Sequence, residues 1–243
     1  MVTNLDFNNT KENLLSIVFP FYNEEKTILK ALKRLNDLNL DNFDFEIIAV
    51  NDGSTDNSLN ILKENKNLYR ELISYSSNRG KGYAVKKALE KCLGNYVIFQ
   101  DADLEYNPKD IEEFIRLINQ IQNVDVIIGS RLNYKNYSRS HNFYNKVGNI
   151  ILTTFFNFLY FTTFTDIYSC YLCFKRNLIS VDKIKTVGFE QHAEILCQVI
   201  SKGKKFYEVP INYDGRGYDE GKKIRFYHIF SVLLEIIKGK FKN

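Results

Sequence analysis

The chain has 243 residues, of which 44% are hydrophobic and 26% are charged. This balance excludes a disordered chain, because it supplies enough apolar side chains for a large core, in one domain or in a domain with an appendage. The net charge of +4 argues against a nucleic-acid binder and is compatible with phosphate ligands or an anionic membrane surface.

The first 13 residues are polar and contain no apolar stretch of the kind found in signal peptides. We therefore expect them to form a tail on a cytoplasmic protein whose cysteines are reduced. Cys170 and Cys173 have CxxC spacing, but no second pair accompanies them. Because they lie in an apolar stretch, core packing is favoured over a metal or redox site.

Apolar strands and amphipathic helices alternate along the first half of the chain. Strands are predicted at residues 14–19, 45–50, 71–74, 96–100 and 125–129, with helices at residues 24–38, 55–63, 81–93 and 110–121. This alternation is typical of an α/β, Rossmann-like fold, in which a mostly parallel sheet carries helices on both faces. No repeat or linker interrupts it, so a single domain is expected.

The pattern changes beyond residue 131. A polar, basic stretch and then an apolar stretch at residues 150–164 precede strands predicted within residues 166–177 and at 205–209, and helices at 189–202 and 226–238. No segment has the apolar length needed to cross a bilayer. The last helix suits peripheral contact with the inner face of an anionic membrane, or packing on the core with a solvated basic tail, and both stay open.

Polar clusters follow the predicted strands at residues 22–24, 51–53, 78–81 and 101–103. The carboxyl ends of parallel strands meet at one edge of a sheet, where ligands bind. We therefore expect these four clusters, which come from separate parts of the sequence, to form one site.

The acidic cluster is the sequence QDADLE at residues 100–105. If the chain stays extended here, Asp101 and Asp103 point the same way and Glu105 follows. Carboxylate ligands of this kind suit Mg²⁺ or Mn²⁺, which also bind substrate phosphates. The alternative is a solvated acidic turn.

Two other clusters indicate a phosphate-bearing ligand. In NDGSTD, at residues 51–56, Ser54 or Thr55 can cap a helix and leave Asp52 to bind a base or ribose. The sequence NRGKG, at residues 78–82, opens a helix, so its amides and Lys81 favour an anion. Neither GxxxxGK[ST] nor GxGxxG is present, which disfavours a P-loop ATPase and a dinucleotide oxidoreductase.

Taken in order, these motifs resemble the motif series of family 2 glycosyltransferases with the GT-A fold. The series starts at residues 19–25 (FPFYNEE), continues through the clusters above and residues 129–131 (GSR), and ends at residues 165–166, 188–190, 208–210 and 213–223. The resemblance is greatest to the dolichyl- or polyprenyl-phosphate mannosyl- and glucosyltransferases. It implies a catalytic domain over residues 14–226, followed by an amphipathic helix and basic tail at residues 227–243.

The resemblance also implies a function and roles by position. The expected reaction is metal-dependent, inverting transfer of a hexose from a UDP- or GDP-sugar to a polyprenyl or dolichyl phosphate. Residues expected to frame the nucleotide are Pro20, Tyr22, Glu24, Val50 and Asp52. Residues expected to hold ribose, Mg²⁺ or Mn²⁺ and diphosphate are Asp101, Ala102, Asp103 and Glu105. Residues expected to neutralise phosphates are Arg131, Arg216 and Lys222.

The acceptor stays open at this point. A saccharide hydroxyl would need a carboxylate base, for which Asp166, Glu190 and Glu194 are the candidates, whereas a lipid phosphate would not. The chain has Gln191 and His192 where close relatives often have Pro and Glu, and His192 is either an acceptor-site group or a packed helix residue. A nucleotidylyltransferase and a membrane-associated nucleotide-sugar-binding protein are the rival functions, and the sequence does not indicate an oligomeric state.

Overall fold

The computed structural model describes residues 11–132, 143–217 and 228–241. Strands and helices alternate first through β1 (Lys11–Phe21), α1 (Ile28–Asn36), β2 (Asp44–Asn51), α2 (Ser58–Glu64), β3 (Glu71–Ser74), α3 (Lys81–Leu89), β4 (Gly94–Phe99), α4 (Ile111–Gln120) and β5 (Val126–Ser130). The later elements are α5 (Phe143–Tyr160), β6 (Leu172–Lys175), α6 (Gln191–Lys202), β7 (Phe206–Pro210) and α7 (His228–Phe241).

Within these residues, seven strands form one sheet in the order β3-β2-β1-β4-β6-β5-β7. β6 runs antiparallel to its neighbours β4 and β5, and the other pairs are parallel. The predicted α/β class with a mostly parallel sheet is therefore confirmed. Because β2 and β4 flank β1 on opposite sides, the chain reverses its direction of travel across the sheet there, and a crevice forms beyond the carboxyl ends of these strands.

β1 lies at the centre of the core. Its residues Leu15, Ile17, Val18 and Phe19 are fully buried, which explains why the strand is a continuous apolar run rather than an alternating one.

Tyr171 is also fully buried, and its hydroxyl donates a hydrogen bond of 2.5 Å to Oε1 of Gln100. This bond ties the end of β4 to the segment that leads into β6.

Cys170 and Cys173 pack in the core as predicted. Cys92, Cys170, Cys173 and Cys197 are all buried free thiols. Burial raises the pKa of Cys170 and of Cys173 above the ordinary thiol value. A thiol that resists ionisation is a poor metal ligand or redox nucleophile, so the CxxC spacing here reflects packing.

Several boundaries differ from the predictions for local reasons. The helix predicted at residues 24–38 begins at Ile28, and in the turn before it the carbonyl of Glu24 accepts bonds from the amides of Thr27, at 3.0 Å, and Ile28, at 2.9 Å. β1 starts at Lys11, ahead of the strand predicted at residues 14–19. The apolar stretch at residues 150–164 lies mostly in α5. Across the described ranges, no helix combines the length and apolar character required of a membrane span.

The turn after β2 depends on a glycine. Gly53 has a φ of 73°, and a Cβ added there would overlap the backbone of Ser77. We expect G53A to lower the free energy of unfolding by about 2 kcal/mol or more, measured by urea denaturation. The control is N42G, because Asn42 is exposed with a φ of 60° and the substitution adds no atoms. Equal losses in the two variants would contradict this account.

Candidate active site

A cavity of about 380 Å³ opens at the carboxyl ends of β1, β2 and β4 and is walled on its other side by α5, α6 and α7. The predicted site residues that line it are Pro20, Tyr22, Glu24, Asp52, Lys81, Asp101, Ala102, Asp103, Glu105, Arg131 and Arg216. The predicted convergence of the strand-end clusters is thus confirmed. Val50, Asp166 and Glu190 are not part of this lining, and Lys222 lies outside the described residues.

The loops after β1 and β2 bind each other. The side chain of Asn23 accepts a bond of 2.8 Å from the amide of Thr55, and the amide of Asn23 donates a bond of 3.1 Å to Ser54. The prediction that Ser54 or Thr55 caps the next helix is wrong, because α2 begins only at Ser58 and these residues join the two loops instead. The junction holds Tyr22 at the cavity wall.

Asp52 holds the loop that precedes α3. Its carboxylate accepts bonds of 2.9 Å from the amides of Arg79 and Gly80, one on each oxygen. Burial raises the pKa of Asp52, although the two amide bonds act in the opposite direction. The carboxylate therefore shapes the start of α3 as well as lining the cavity.

Lys81, at the start of α3, reaches across to β4. Its Nζ lies 2.6 Å from Oδ1 of Asp101. Burial disfavours the lysine charge, but the carboxylate of Asp101 outweighs this effect and raises the pKa of Lys81. One cation of the site is therefore paired with one carboxylate of the DAD sequence.

The chain does not stay extended after Asp101, which corrects the prediction that the three acids follow a strand alternation. Residues 102–103 form a turn and residues 104–105 a bend, and Leu104 has a φ of 64°. Asp103 accepts a bond of 3.1 Å from the amide of Glu105, which closes the turn. The turn places Asp103 in the cavity and directs Glu105 toward residues 213–216.

Arg216 is the counter-ion of this turn. Its guanidinium lies 2.9 Å from Asp103, 3.2 Å from Glu105 and 3.5 Å from Glu24. Burial, followed by the charges of Asp101 and Glu105, raises the pKa of Asp103 to about 7 despite the opposing effect of Arg216. The repulsion among these carboxylates is therefore only partly neutralised by the protein.

Arg131 is fixed by Asp166. The fully buried carboxylate of Asp166 accepts bonds of 2.7 and 2.9 Å from the guanidinium of Arg131, and Asn149 donates a further bond of 2.8 Å. Burial opposes ionisation of Asp166, but the charge and hydrogen bonds of Arg131 outweigh it and lower the pKa of the carboxyl. Asp166 therefore orients Arg131, which itself lines the cavity.

The other two candidate bases are also engaged. Glu190 accepts a bond of 3.2 Å from the amide of Gly188. Glu194 accepts bonds from the amides of Lys185 and Thr186 and from the Thr186 hydroxyl, at 2.6 Å in the last case. Both carboxylates hold the segment that leads into α6, so neither replaces a missing acid in the cavity.

His192 lines the cavity as a neutral side chain. Burial, with a smaller contribution from the charge of Lys81, lowers the pKa of His192 to about 4. Its Nε2 lies 3.2 Å from the carbonyl oxygen of Ile167, so this nitrogen carries the proton. The ring also packs 5.6 Å from that of Tyr168. His192 is therefore both a packed residue and part of the wall.

Sequence reasoning missed the far wall of the cavity. The residues of α5 and α7 that contribute to it are Asn145, Gly148, Asn149, Leu152, His228, Ile229 and Val232. The apolar residues among them recur at the same helical spacing as the residues of any helix that faces a core. No spacing in the sequence distinguishes a cavity wall from ordinary packing in such helices.

Comparisons with known proteins agree with this arrangement. Residues 16–181 match the family described as Glycosyl transferase family 2. The low-salt glycan biosynthesis hexosyltransferase Agl6 of Haloferax volcanii is 30% identical over 205 residues, or 83% of this chain and 48% of Agl6, so the chain spans about half the length of that relative. The dolichyl-phosphate beta-glucosyltransferase of Saccharomyces cerevisiae is 31% identical over 84% of this chain and 67% of the yeast protein.

A solved structure supports the fold independently. The glucosyl-3-phosphoglycerate synthase of Mycobacterium tuberculosis, in complex with Mn²⁺, UDP and phosphoglyceric acid, has a TM-score of 0.70 to this chain at 17% sequence identity. The likeness covers 94% of this chain and 79% of that structure. At this level of identity it establishes a shared fold.

The raised pKa of Asp103 predicts a pH-dependent stability. With a folded-state pKa of about 7 against an ordinary value of 3.8, the folded chain binds this proton more tightly than the unfolded chain. The resulting stabilisation is lost as the pH rises from about 4 to about 7. We therefore expect the difference in the free energy of unfolding between the wild type and D103N to fall across this pH interval. The measurement is urea denaturation without divalent metal. Parallel curves for wild type and D103N would contradict the prediction, and D214N, at an exposed carboxylate, should parallel the wild type.

Proposed function

The chain belongs to glycosyl transferase family 2, and on this basis we propose that it moves a hexose from a UDP- or GDP-sugar to the phosphate of a polyprenyl or dolichyl phosphate. One observation carries the choice of acceptor. Arg131 lines the cavity with a guanidinium that Asp166 and the carbonyl of Tyr168 hold in one orientation. Every carboxylate among the described lining residues also accepts a bond from the protein. A guanidinium suits a phosphate, and a phosphate acceptor needs no carboxylate base. The similarity to the yeast dolichyl-phosphate beta-glucosyltransferase supports the same acceptor.

We place the diphosphate of the donor at Asp101 and Asp103, with a divalent cation between. The residues fit such an ion, because burial and then repulsion from Asp101 and Glu105 raise the pKa of Asp103, and a cation relieves that repulsion. No trio of His, Cys, Asp or Glu in the described part of the chain forms a ready metal cluster, so in this proposal Mg²⁺ or Mn²⁺ is held by two carboxylates and substrate phosphates rather than by Asp101, Asp103 and Glu105 together. The bound ion would neutralise the charge that grows on the departing diphosphate.

Glu105 takes a different role in this proposal from the one first expected. Its carboxylate accepts bonds from the hydroxyl of Tyr213, at 2.7 Å, and from the amide of Arg216, at 3.1 Å. These bonds fix Arg216 over the donor end of the cavity, where its guanidinium can contact phosphate. Lys81 supplies the second cation there, and Pro20, Tyr22 and Glu24 form the wall against which the nucleoside would lie.

The proposed reaction is a single displacement. An oxygen of the acceptor phosphate forms a bond to the anomeric carbon while the bond from that carbon to the donor diphosphate breaks, and the nucleoside diphosphate leaves with inversion. The attacking oxygen is already ionised near neutral pH, so no proton has to be removed. Arg131 binds and orients the acceptor phosphate, and Asp166 acts through Arg131 as a positioning residue.

Removal of Asp103 tests the donor site. D103A should lower transfer by about 10²-fold or more, because the charge of the leaving group is no longer stabilised. The measurement is incorporation of labelled sugar into polyprenyl phosphate in the presence of Mn²⁺, with thermal unfolding as a check of folding. D214A removes an exposed carboxylate from the segment that carries Arg216 and should leave transfer unchanged. Undiminished transfer by D103A would refute the proposed site.

Substitution of Arg131 tests the acceptor. R131K keeps the charge but loses the planar fork, so kcat/KM for polyprenyl phosphate should fall about 10²-fold, with a smaller change in Mn²⁺-dependent binding of UDP. R116K is the matched control, because Arg116 is an exposed arginine that pairs with a neighbouring glutamate, Glu113. Efficient transfer to a saccharide hydroxyl, with none to polyprenyl phosphate, would overturn the assignment of the acceptor.

A further inference from the structure

Exposed apolar side chains are concentrated on two neighbouring helices. Of the twelve large hydrophobic side chains exposed in the described residues, ten belong to α5, to Phe161 directly after it, or to α7. These ten are Phe143, Tyr144, Ile150, Ile151, Phe158, Phe161, Phe230, Leu234, Ile237 and Phe241. We refer to them as the α5/α7 face. The remaining two, Leu93 and Val187, lie elsewhere in the fold.

The α5/α7 face is an ordered stripe and not a loosely packed core. On α7, the exposed residues Phe230, Leu234, Ile237 and Phe241 recur at helical spacing, while Ile229, Val232 and Ile236 on the opposite side are buried. On α5, exposed residues recur in the same way opposite the buried Leu152 and Phe156. Each helix is therefore apolar on two sides, and among the described residues only one of these sides is covered by the rest of the fold.

Direct contacts hold the two helices together. The hydroxyl of Tyr160 donates a bond of 3.2 Å to the carbonyl of Ile236. Nζ of Lys240 lies 5.1 Å from the ring centroid of Tyr160 and 5.4 Å from that of Phe161. The outward sides of α5 and α7 therefore adjoin each other at their carboxyl ends. A contiguous apolar patch of this kind marks an interaction surface.

On α5 and α7, as far as the structure describes them, the charged side chains that reach the surface are lysines. The only ionic residue of α5 is the exposed Lys146. α7 contains Lys238, Lys240 and Glu235; Glu235 is 4% exposed, and its carboxylate lies 3.6 Å from Nζ of Lys238. Lysines flanking an apolar stripe complement negative headgroups next to a hydrocarbon phase. A symmetric contact with a second copy would instead bring lysines toward lysines, which disfavours that partner.

We propose that the α5/α7 face docks on the surface of a bilayer that contains anionic lipids. The apolar side chains enter the boundary between headgroups and acyl chains, and the lysines contact the headgroups. Leu152, Ile229 and Val232, on the inner sides of the same helices, line the cavity, so docking brings the cavity next to the lipid phase. This inference goes beyond the proposed function, because it holds for any acceptor.

Vesicle sedimentation tests the proposal. Wild-type protein should sediment with vesicles of phosphatidylcholine and phosphatidylglycerol, and less with phosphatidylcholine alone. F158S/F230S removes two rings that are 76% and 66% exposed, so the fold should persist while partitioning falls about ten-fold or more. The control is L93S, at an exposed apolar residue outside the face, and it should bind as the wild type does. K240E should weaken binding only to the anionic vesicles.

Two further measurements separate this proposal from the alternatives. Sedimentation equilibrium of F158S/F230S and wild type without lipid should give the same mass. A wild-type dimer that the double variant dissociates, or equal vesicle binding by the double variant and wild type, would overturn the proposal. Vesicle binding by D103A should match that of the wild type, and F158S/F230S should still transfer sugar to a short-chain polyprenyl phosphate in detergent. Failure of docking and failure of the transferase assignment are therefore distinguishable.

Discussion

The site depends on the partial neutralisation of carboxylates gathered at the end of a parallel sheet. Asp101 is paired with Lys81, while Asp103, Glu105 and Glu24 share the guanidinium of Arg216. Charges this close and this poorly solvated repel strongly unless cations separate them. The two cations hold the strand-end loops in place, and the residual repulsion leaves the cavity favourable for a further positive charge.

The local parts of this arrangement are predictable from the sequence. Apolar runs that end in polar clusters give the strand positions, and parallel pairing brings Asp52, Lys81 and Asp101 to one edge. The same logic supports the mostly parallel sheet. These predictions succeed because each rests on a short segment and on one topological rule.

The remaining features depend on contacts between distant segments. Nothing near Asp166 in the sequence indicates that its carboxylate forms an ion pair with Arg131. That pair forms only because folding brings the two segments together around the buried carboxylate. The acidic motif was first interpreted as an extended chain, but the backbone at Leu104 is left-handed. Likewise, the periodicity of α5 and α7 predicts helices with an apolar side, but it does not show that a second apolar side stays uncovered or that the inner side walls a cavity.

The position of Arg216 in the chain has a consequence for biosynthesis. Its partners Asp103 and Glu105 are separated from it by 113 and 111 residues, so the acidic turn leaves the ribosome long before its counter-ion does. β7, which pairs with β5, and the helix that carries Val232 also emerge late. During translation the first half of the sheet can collapse around β1, but the pocket closes only near the end of synthesis. A nascent chain therefore passes through a stage with an assembled nucleus and an unfinished candidate site.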